Sequence, residues 1–285
     1  ADDWAQPVWS SHVQLLAGML ALLGAAALAD WFGRRKDWAV ASWPARASLP
    51  LLVITFLISL AMGRHLLYLP DIGFWIAALA LHGWLLRTSD LAVPPLGKRA
   101  SWNYIVHVGG VWLATGMIAD SLDLAIDRAR LWDTSWAGVV YLVSAVAVLL
   151  LLTRWAGRAA PLEDRTSLRW PLRPHAEAYY WSSAVVLALL AWLGALTTAL
   201  VAAGVTDPLP YVPLLNPVDI SVGLAIAALA LWRGMLATAR PEPGGSDVFT
   251  GNPALAAGAV LAFAEVNAIW LRTAHHFLDV GYDPV

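Results

Sequence analysis

Residues 134–155 read TSWAGVVYLVSAVAVLLLLTRW, an apolar stretch in which Arg154 is the only charged side chain. A helix that spans a membrane needs about 20 mostly apolar residues, and this stretch has that length. Lipid-facing barrel strands alternate between polar and apolar residues, whereas the apolar residues here are continuous. The stretch therefore predicts a helix that crosses a lipid bilayer.

Similar stretches recur along the whole chain. The predicted spans cover residues 10–32, 48–67, 72–88, 102–122, 134–155, 178–203, 218–238 and 253–274. Most loops between them are short, so we expect successive spans to pack as antiparallel hairpins. The sequence thus predicts an all-α integral membrane protein, in which residues 1–285 form a single polytopic bundle of about eight transmembrane helices with no soluble domain.

The composition agrees with a membrane protein and excludes several other classes. Of the 285 residues, 59% are hydrophobic and 13% are charged, whereas a soluble domain carries about 25% charged residues. This excludes an ordinary soluble enzyme, and so apolar a chain is not disordered. The absence of cysteine excludes disulfides, thiolate metal sites and iron–sulfur clusters. No run of Lys and Arg indicates a nucleic-acid partner.

The basic residues indicate how the spans are oriented. With the N-terminus outside, only Arg64, Arg128, Arg130 and Arg272 of the 18 Lys and Arg residues fall on the outer side. Cytoplasmic loops of membrane proteins are enriched in Lys and Arg. We therefore expect both termini to lie on the outer side.

Glu265 is the most informative polar residue, because an ionisable side chain within a span is costly and suggests a functional site. Arg272 and His276 lie on the same helical face as Glu265, with His275 to one side. One interpretation is an outward-opening polar cavity that handles protons or binds an anion. The other is a buried Glu265 that is neutral or paired and serves only packing. Arg272 is about 10 Å away along the axis, which favours a partner on another helix.

A second group of polar residues falls near the outer ends of other spans. It comprises His12, Arg64, His65, Asp71, Asp120 and Asp123. We consider a metal site formed by an aspartate with His65, His275 or His276. Adjacent helical residues such as His275 and His276 diverge by about 100°, and no ligand spacing supports the site, so no metal is predicted.

His82 and His107 lie at matching depths on neighbouring predicted spans. Haem ligation by two histidines, or a quinone pocket, would require such matching, so we expect the two side chains to face each other or one cleft. Hydrogen bonds to nearby groups across the hairpin also explain them. We favour the hydrogen bonds and predict no cofactor, with haem or quinone at His82 and His107 as the alternative.

Two stretches resemble a known family of membrane proteins. PLPYVPLLNPVDISVGLAIAALALW (208–232) resembles a signature of the DUF2339 predicted membrane proteins, and NAIWLRTAHHFLDVGYD (267–283) is similar to another segment of that family. Weaker similarities lie at 73–87, 107–118 and 170–180, whereas the first 60 residues show none beyond hydropathy. The resemblance implies a bacterial inner-membrane protein, and it implies that this chain is a window of a longer member. It transfers no activity.

Three functional hypotheses follow from these residues. The first is a non-catalytic subunit or scaffold of an envelope membrane complex, since no catalytic motif is found and the loops are small. The second is a transporter or lipid or ion carrier that uses Glu265 and the outer polar residues. The third is a transferase for a lipid-linked substrate, with Asp120 or Asp123 as base and Arg64 or Arg272 as phosphate clamp.

We rank the scaffold first, so we do not expect an enzyme. The expected partners are the lipid bilayer and either other membrane subunits or the remaining spans of a longer chain, with no nucleic acid.

Overall fold

Helices form the protein throughout the part of the chain that the structure describes, and no strand occurs there. The structure is a computed structural model that describes residues 11–92, 97–155, 170–172, 174–239 and 243–282. The helices are α1 (Ser11–Arg35), α2 (Ser48–Ala61), α3 (Asp71–Asp90), α4 (Gly97–Ala129), α5 (Ser135–Trp155), α6 (Ala184–Val201), α7 (Pro217–Thr238), the short α8 (Asp247–Thr250) and α9 (Asn252–Leu278). The predicted all-α fold class is confirmed.

Irregular turns extend two of these helices. Two 3-10 turns, Ala39–Ser42 and Pro44–Ala47, lead into α2, and a π-helical segment, Ala178–Ser183, leads into α6. With these extensions, each predicted span corresponds to a helix.

Among the described residues, seven helical segments are long and apolar enough to cross a membrane. They are Ser11–Arg35, Ala39–Ala61, Ser101–Ala129, Ser135–Trp155, Ala178–Val201, Pro217–Thr238 and Asn252–Leu278. The predicted span 72–88 is the helix α3, which is not among these segments because polar residues such as His82 and Arg87 lower its mean hydropathy. The protein is therefore a multi-pass helical membrane protein.

Local sequence explains where the helices begin and end. Asn216 precedes α7, and its side chain accepts a hydrogen bond from the backbone N–H of Asp219, as a helix-capping residue does. Pro217 then occupies the first turn, where its missing N–H costs nothing. α4 continues to Ala129 because residues 120–129 remain amphipathic.

The chain divides into two compact units, and the single bundle predicted over residues 1–285 stays a prediction. Unit 1 is Ala1–Leu113. In it α1 packs against α2 and α3. Leu16 and Leu23 of α1, Leu52 of α2 and Trp75 of α3 are fully buried, and Phe56 contacts Trp75 edge to face at 6.0 Å.

Unit 2 is Ala114–Val285. In it α5 packs against α6 and α7, and α9 packs against α6 and α7. Helices in lipid associate closely where small residues meet. The buried side of α6 has that composition: Ala184, Ala188, Ala191, Ala195 and Ala199. This arrangement brings the end of α6, the start of α7 and the end of α9 together.

Candidate functional site

Arg272 is the centre of a buried ion cluster in unit 2. Its Nη2 lies 2.6 Å from Asp219 Oδ1 and 3.1 and 3.2 Å from the two carboxylate oxygens of Glu265. Its Nη1 donates to the carbonyl oxygen of Ala199 at 3.1 Å. Arg272 has no exposed surface, and Asp219 and Glu265 are each 5% exposed. We call Arg272, Glu265 and Asp219 the Arg272 cluster.

The cluster links three helices at one end of unit 2. Glu265 and Arg272 lie two turns apart on α9, Asp219 lies in the first turn of α7, and Ala199 lies in the last turn of α6. The long side chains of Glu265 and Arg272 reach towards each other, so the 10 Å axial separation estimated from helix geometry does not prevent a direct pair. A buried guanidinium with two carboxylates thus joins the helix ends.

Glu265 is buried within the protein rather than exposed on its surface, but its ion-pair partner differs from the one expected. Helix geometry favours a partner on another helix, whereas the structure pairs Glu265 with Arg272 on its own helix. The second helix contributes Asp219, which is not among the site residues predicted from the sequence. A signal was present, because Asp219 and Arg272 lie in the two stretches that carry the family resemblance.

The loop before α7 holds Asp219 in position. Asn216 Nδ2 donates to Asp219 Oδ2 at 2.7 Å, and the backbone N–H of Leu214 donates to the same oxygen at 2.8 Å. Asp219 Oδ1 is then directed to Arg272. Both oxygens of this carboxylate therefore have donors, which offsets part of the cost of burying it.

Gly204 and Tyr211 form the wall on the other side of Arg272. Gly204 has φ +78°, and a Cβ added there would lie 3.0 Å from Arg272 Cδ and 3.2 Å from Tyr211 Cε2. Burial raises the pKa of the Tyr211 hydroxyl above its ordinary value. Tyr211 Oη and Arg272 Nε are buried atoms with no hydrogen-bond partner among the described residues.

The charges of the Arg272 cluster do not balance. One guanidinium faces two carboxylates, so the cluster carries a formal charge of −1 when both carboxylates are ionised. An uncompensated buried charge costs several kcal/mol, on the order of a single ion's desolvation. The cluster is therefore suited to take up one proton or one further cation.

The predicted site residues His275 and His276 lie beside the cluster but do not join it. His275 Nδ1 lies 2.7 Å from the carbonyl oxygen of Val280, and His276 Nε2 lies 3.1 Å from that of Ala203. Each of these nitrogens donates its hydrogen, because a carbonyl oxygen only accepts. The His276 ring also stacks on Tyr211, with centroids 4.0 Å apart. The two histidines therefore fasten the end of α9 to neighbouring backbone.

A separate polar cluster lies in unit 1. Arg64 Nη2 lies 3.0 Å from Asp71 Oδ2, and His12 Nδ1 lies 3.2 Å from the same oxygen. His12 Nε2 is 3.0 Å from Ser59 Oγ. Asp71 has no exposed surface. His12, Asp71 and Arg64 thus join the start of α1, the start of α3 and the turn after α2.

The other predicted outer residues have different surroundings. The His65 ring contacts Tyr68 edge to face at 5.3 Å. Asp120 is buried in α4 and Asp123 is partly buried there. Both aspartates belong to unit 2, whereas Arg64 and His65 belong to unit 1.

His82 and His107 each hydrogen bond to a protein side chain. His82 Nδ1 lies 2.9 Å from Ser48 Oγ, and His107 Nε2 lies 3.0 Å from Asp90 Oδ2. Asn103 Nδ2 donates to the other oxygen of Asp90 at 2.8 Å. These contacts are of the kind that sequence analysis favoured for the pair, and a haem or quinone there stays an untested alternative.

The seven spanning segments of the described chain identify a multi-pass helical membrane protein, and buried ion pairs join some of its helices. Within that class the chain belongs to the DUF2339 family, described as a predicted membrane protein, whose pattern matches residues 4–283. The match includes residues 4–60, a part of the chain whose sequence shows no resemblance beyond hydropathy. No curated protein and no solved structure matches the chain.

Proposed function

We propose that the protein is a non-catalytic scaffold subunit of a complex in the bacterial inner membrane, and that α9 binds a spanning helix of its partner. The observation that carries this proposal is Asn267, a polar residue on the outward face of α9. Asn267 is exposed, and it lies only about 5 Å along the axis from the middle of the predicted span 253–274.

The amide of Asn267 has unused hydrogen-bonding capacity. Its Nδ2 donates to the carbonyl oxygen of Phe263 at 2.7 Å, and its Oδ1 accepts no hydrogen bond from the described residues. Its neighbours Phe263 and Trp270 are each 73% exposed, and Val266 is 66% exposed. An amide that faces lipid lacks a hydrogen-bond partner, which a Ser, Thr or Asn on another helix would supply. Each hydrogen bond of this kind contributes about 0.6–2 kcal/mol to the association of two helices.

A scaffold is also supported by the arginines of the predicted site, which are already paired with carboxylates of the protein. Arg272 is inaccessible and binds two carboxylates, and Arg64 binds Asp71. These arginines were the phosphate clamps of the transferase hypothesis, which no observation favours. Buried ion pairs that join helix ends favour a fixed arrangement of helices, which is what a partner subunit requires.

Cross-linking tests the scaffold proposal directly. A photo-reactive aromatic amino acid in place of Phe263, which is 73% exposed beside Asn267, leaves the Asn267 amide intact and is expected to form a discrete protein adduct in intact membranes. The matched control is position 224, because Leu224 is an exposed residue of the spanning helix α7. Asn267→Gln should keep the adduct partner in pull-downs and Asn267→Leu should lose it. Equal adducts at 263 and 224, or only lipid adducts at 263, would contradict the proposal.

A second candidate function, a proton or cation carrier, is favoured by the unbalanced charge of the Arg272 cluster. If the cluster exchanges a proton or a cation, Glu265→Gln removes one of the two carboxylates and should abolish flux in proteoliposomes. The control is Asp247→Asn, an acidic residue of unit 2 outside the cluster. Flux that survives Glu265→Gln, or no flux in the unmodified protein, counts against a carrier.

A further inference from the structure

Unit 2 contains a groove between α6, α7 and α9 that the proposed function does not use. Its cavity volume is about 630 Å³, within the roughly 300–1,000 Å³ of ligand pockets. Trp192, Trp232, Phe249, Gly258, Ala262 and Arg233 are among the residues that line it. We call it the Arg233 groove. It lies towards the start of α9, whereas the Arg272 cluster lies towards the end.

Small residues on α9 create the space. Ala254, Ala257, Gly258 and Ala262 line the groove over about 12 Å of the helix, at 1.5 Å per residue. A Cβ added at Gly258 would meet nothing within 4 Å. The N–H groups of Trp192 and Trp232 donate to the carbonyl oxygens of Ala257 and Tyr180, at 3.0 and 2.9 Å, so both indoles present only apolar ring atoms to the groove. Trp232 is buried, whereas Trp192 is partly exposed.

One charged side chain marks one end of this apolar surface. Arg233 is the only ionisable residue among the described residues that line the groove. Its Nη2 donates to the carbonyl oxygen of Thr250 at 2.6 Å, which fixes the guanidinium beside α8. Its Nε is buried and has no hydrogen-bond partner among the described residues. The positive charge of the guanidinium, at one end of an apolar surface, is complementary to an anionic group.

We propose that the Arg233 groove binds an anionic phospholipid of the surrounding bilayer. One acyl chain lies against the small residues of α9 and the aromatic rings, and the phosphate accepts hydrogen bonds from Arg233. An apolar chain with one anionic end matches the groove, because the wall offers an apolar surface and a single cation. Guanidinium groups bind phosphate oxygens strongly.

Lipid titration of the delipidated full chain, followed by native mass spectrometry, tests the proposal. The probe is phosphatidylglycerol, with phosphatidylcholine for comparison. We expect Arg233→Gln and Gly258→Leu each to weaken phosphatidylglycerol binding at least tenfold, the first by removing the cation and the second by filling the groove. The unmodified protein should bind phosphatidylcholine at least tenfold more weakly than phosphatidylglycerol.

Two matched controls separate this site from general lipid adhesion. Arg154→Gln removes an exposed arginine of α5 in the same unit, and Gly223→Leu adds a side chain on α7 where a Cβ meets nothing within 4 Å. Both should change binding less than twofold. Ala262→Phe fills the groove from another position and should act like Gly258→Leu. Unchanged binding in Arg233→Gln and both groove-filling variants, or equal losses in the controls, would overturn the proposal.

Discussion

At position 272 an arginine can donate hydrogen bonds to groups on three helices at once, which a lysine ammonium could not do with the same geometry. Nη1 donates to Ala199 on α6 while Nη2 donates to Asp219 on α7 and Glu265 on α9. The planar fork of arginine presents donors in several fixed directions, whereas an ammonium is a single compact charge. One side chain therefore satisfies groups on three helices, and its removal leaves two buried carboxylates facing each other.

Substitution of Arg272 should be far more damaging than substitution of its partner. We expect Arg272→Leu to lower the free energy of unfolding by about 3–5 kcal/mol, because it leaves buried charges uncompensated. Glu265→Gln keeps an acceptor for Arg272 and leaves the Asp219 pair intact, so it should cost less than about 1.5 kcal/mol. Detergent unfolding followed by circular dichroism measures both. Equal losses in the two variants would show that Arg272 does not hold the cluster.

Gly204 allows the backbone to approach Arg272. Gly204→Ala should destabilise the protein through both the left-handed backbone and the contact with Arg272 Cδ, by about 1–3 kcal/mol for the backbone alone. Gly63→Ala is the matched control, since Gly63 has φ +65° but nothing within 4 Å of an added Cβ. Unfolding midpoints should fall further for Gly204→Ala. A larger loss for Gly63→Ala would contradict the close approach.

At the scale of a single element, the start of α7 combines helix capping with positioning of a charge. Asn216 accepts from the Asp219 N–H at 3.0 Å and donates to the Asp219 side chain at 2.7 Å. An ordinary cap serves only the helix. Here the same residue also directs the Asp219 carboxylate towards α9.

Two Asn-Pro helix starts provide a test of this double role. We expect Asn216→Ala to cost about 1–3 kcal/mol, because it removes the cap and leaves a buried acceptor of Asp219 with one donor fewer. Asn252→Ala should change the free energy of unfolding by less than about 0.5 kcal/mol, since Asn252 is exposed and begins α9 without a capping bond from its side chain. Thermal unfolding in detergent compares them, and similar losses would rule out the double role.

At the scale of the whole molecule, the uneven distribution of Lys and Arg predicts that both termini lie on the outer side. Cysteine labelling tests this topology directly. The chain has no cysteine, so a single introduced cysteine is the only target for a thiol reagent. Asp207→Cys, in the loop between α6 and α7, should be labelled by a membrane-impermeant maleimide in intact cells. Ser167→Cys, which lies outside the described residues, should be labelled only after lysis. The reverse result would invert the topology.

The sequence by itself determined the helices and their approximate bounds. Runs such as 134–155 leave a backbone in lipid no way to satisfy its hydrogen bonds except within a helix or a closed barrel. Local chemistry also accounts for the start of α7 at Asn216 and Pro217, since a cap acts within a few residues. The predicted span 72–88 matches the helix α3, although α3 is not among the seven segments that are long and apolar enough to cross a membrane.

Only the tertiary structure decided which polar residues meet. Asp219 and Arg272 are 53 positions apart, and no periodicity in either helix indicates that the start of α7 lies beside the end of α9. Glu265 was identified because a charge within a span is costly, but its partners depend on side-chain reach and on the close packing that Ala199 and Gly204 allow. Helix formation is decided by neighbours in sequence, whereas charge pairing is decided by neighbours in space.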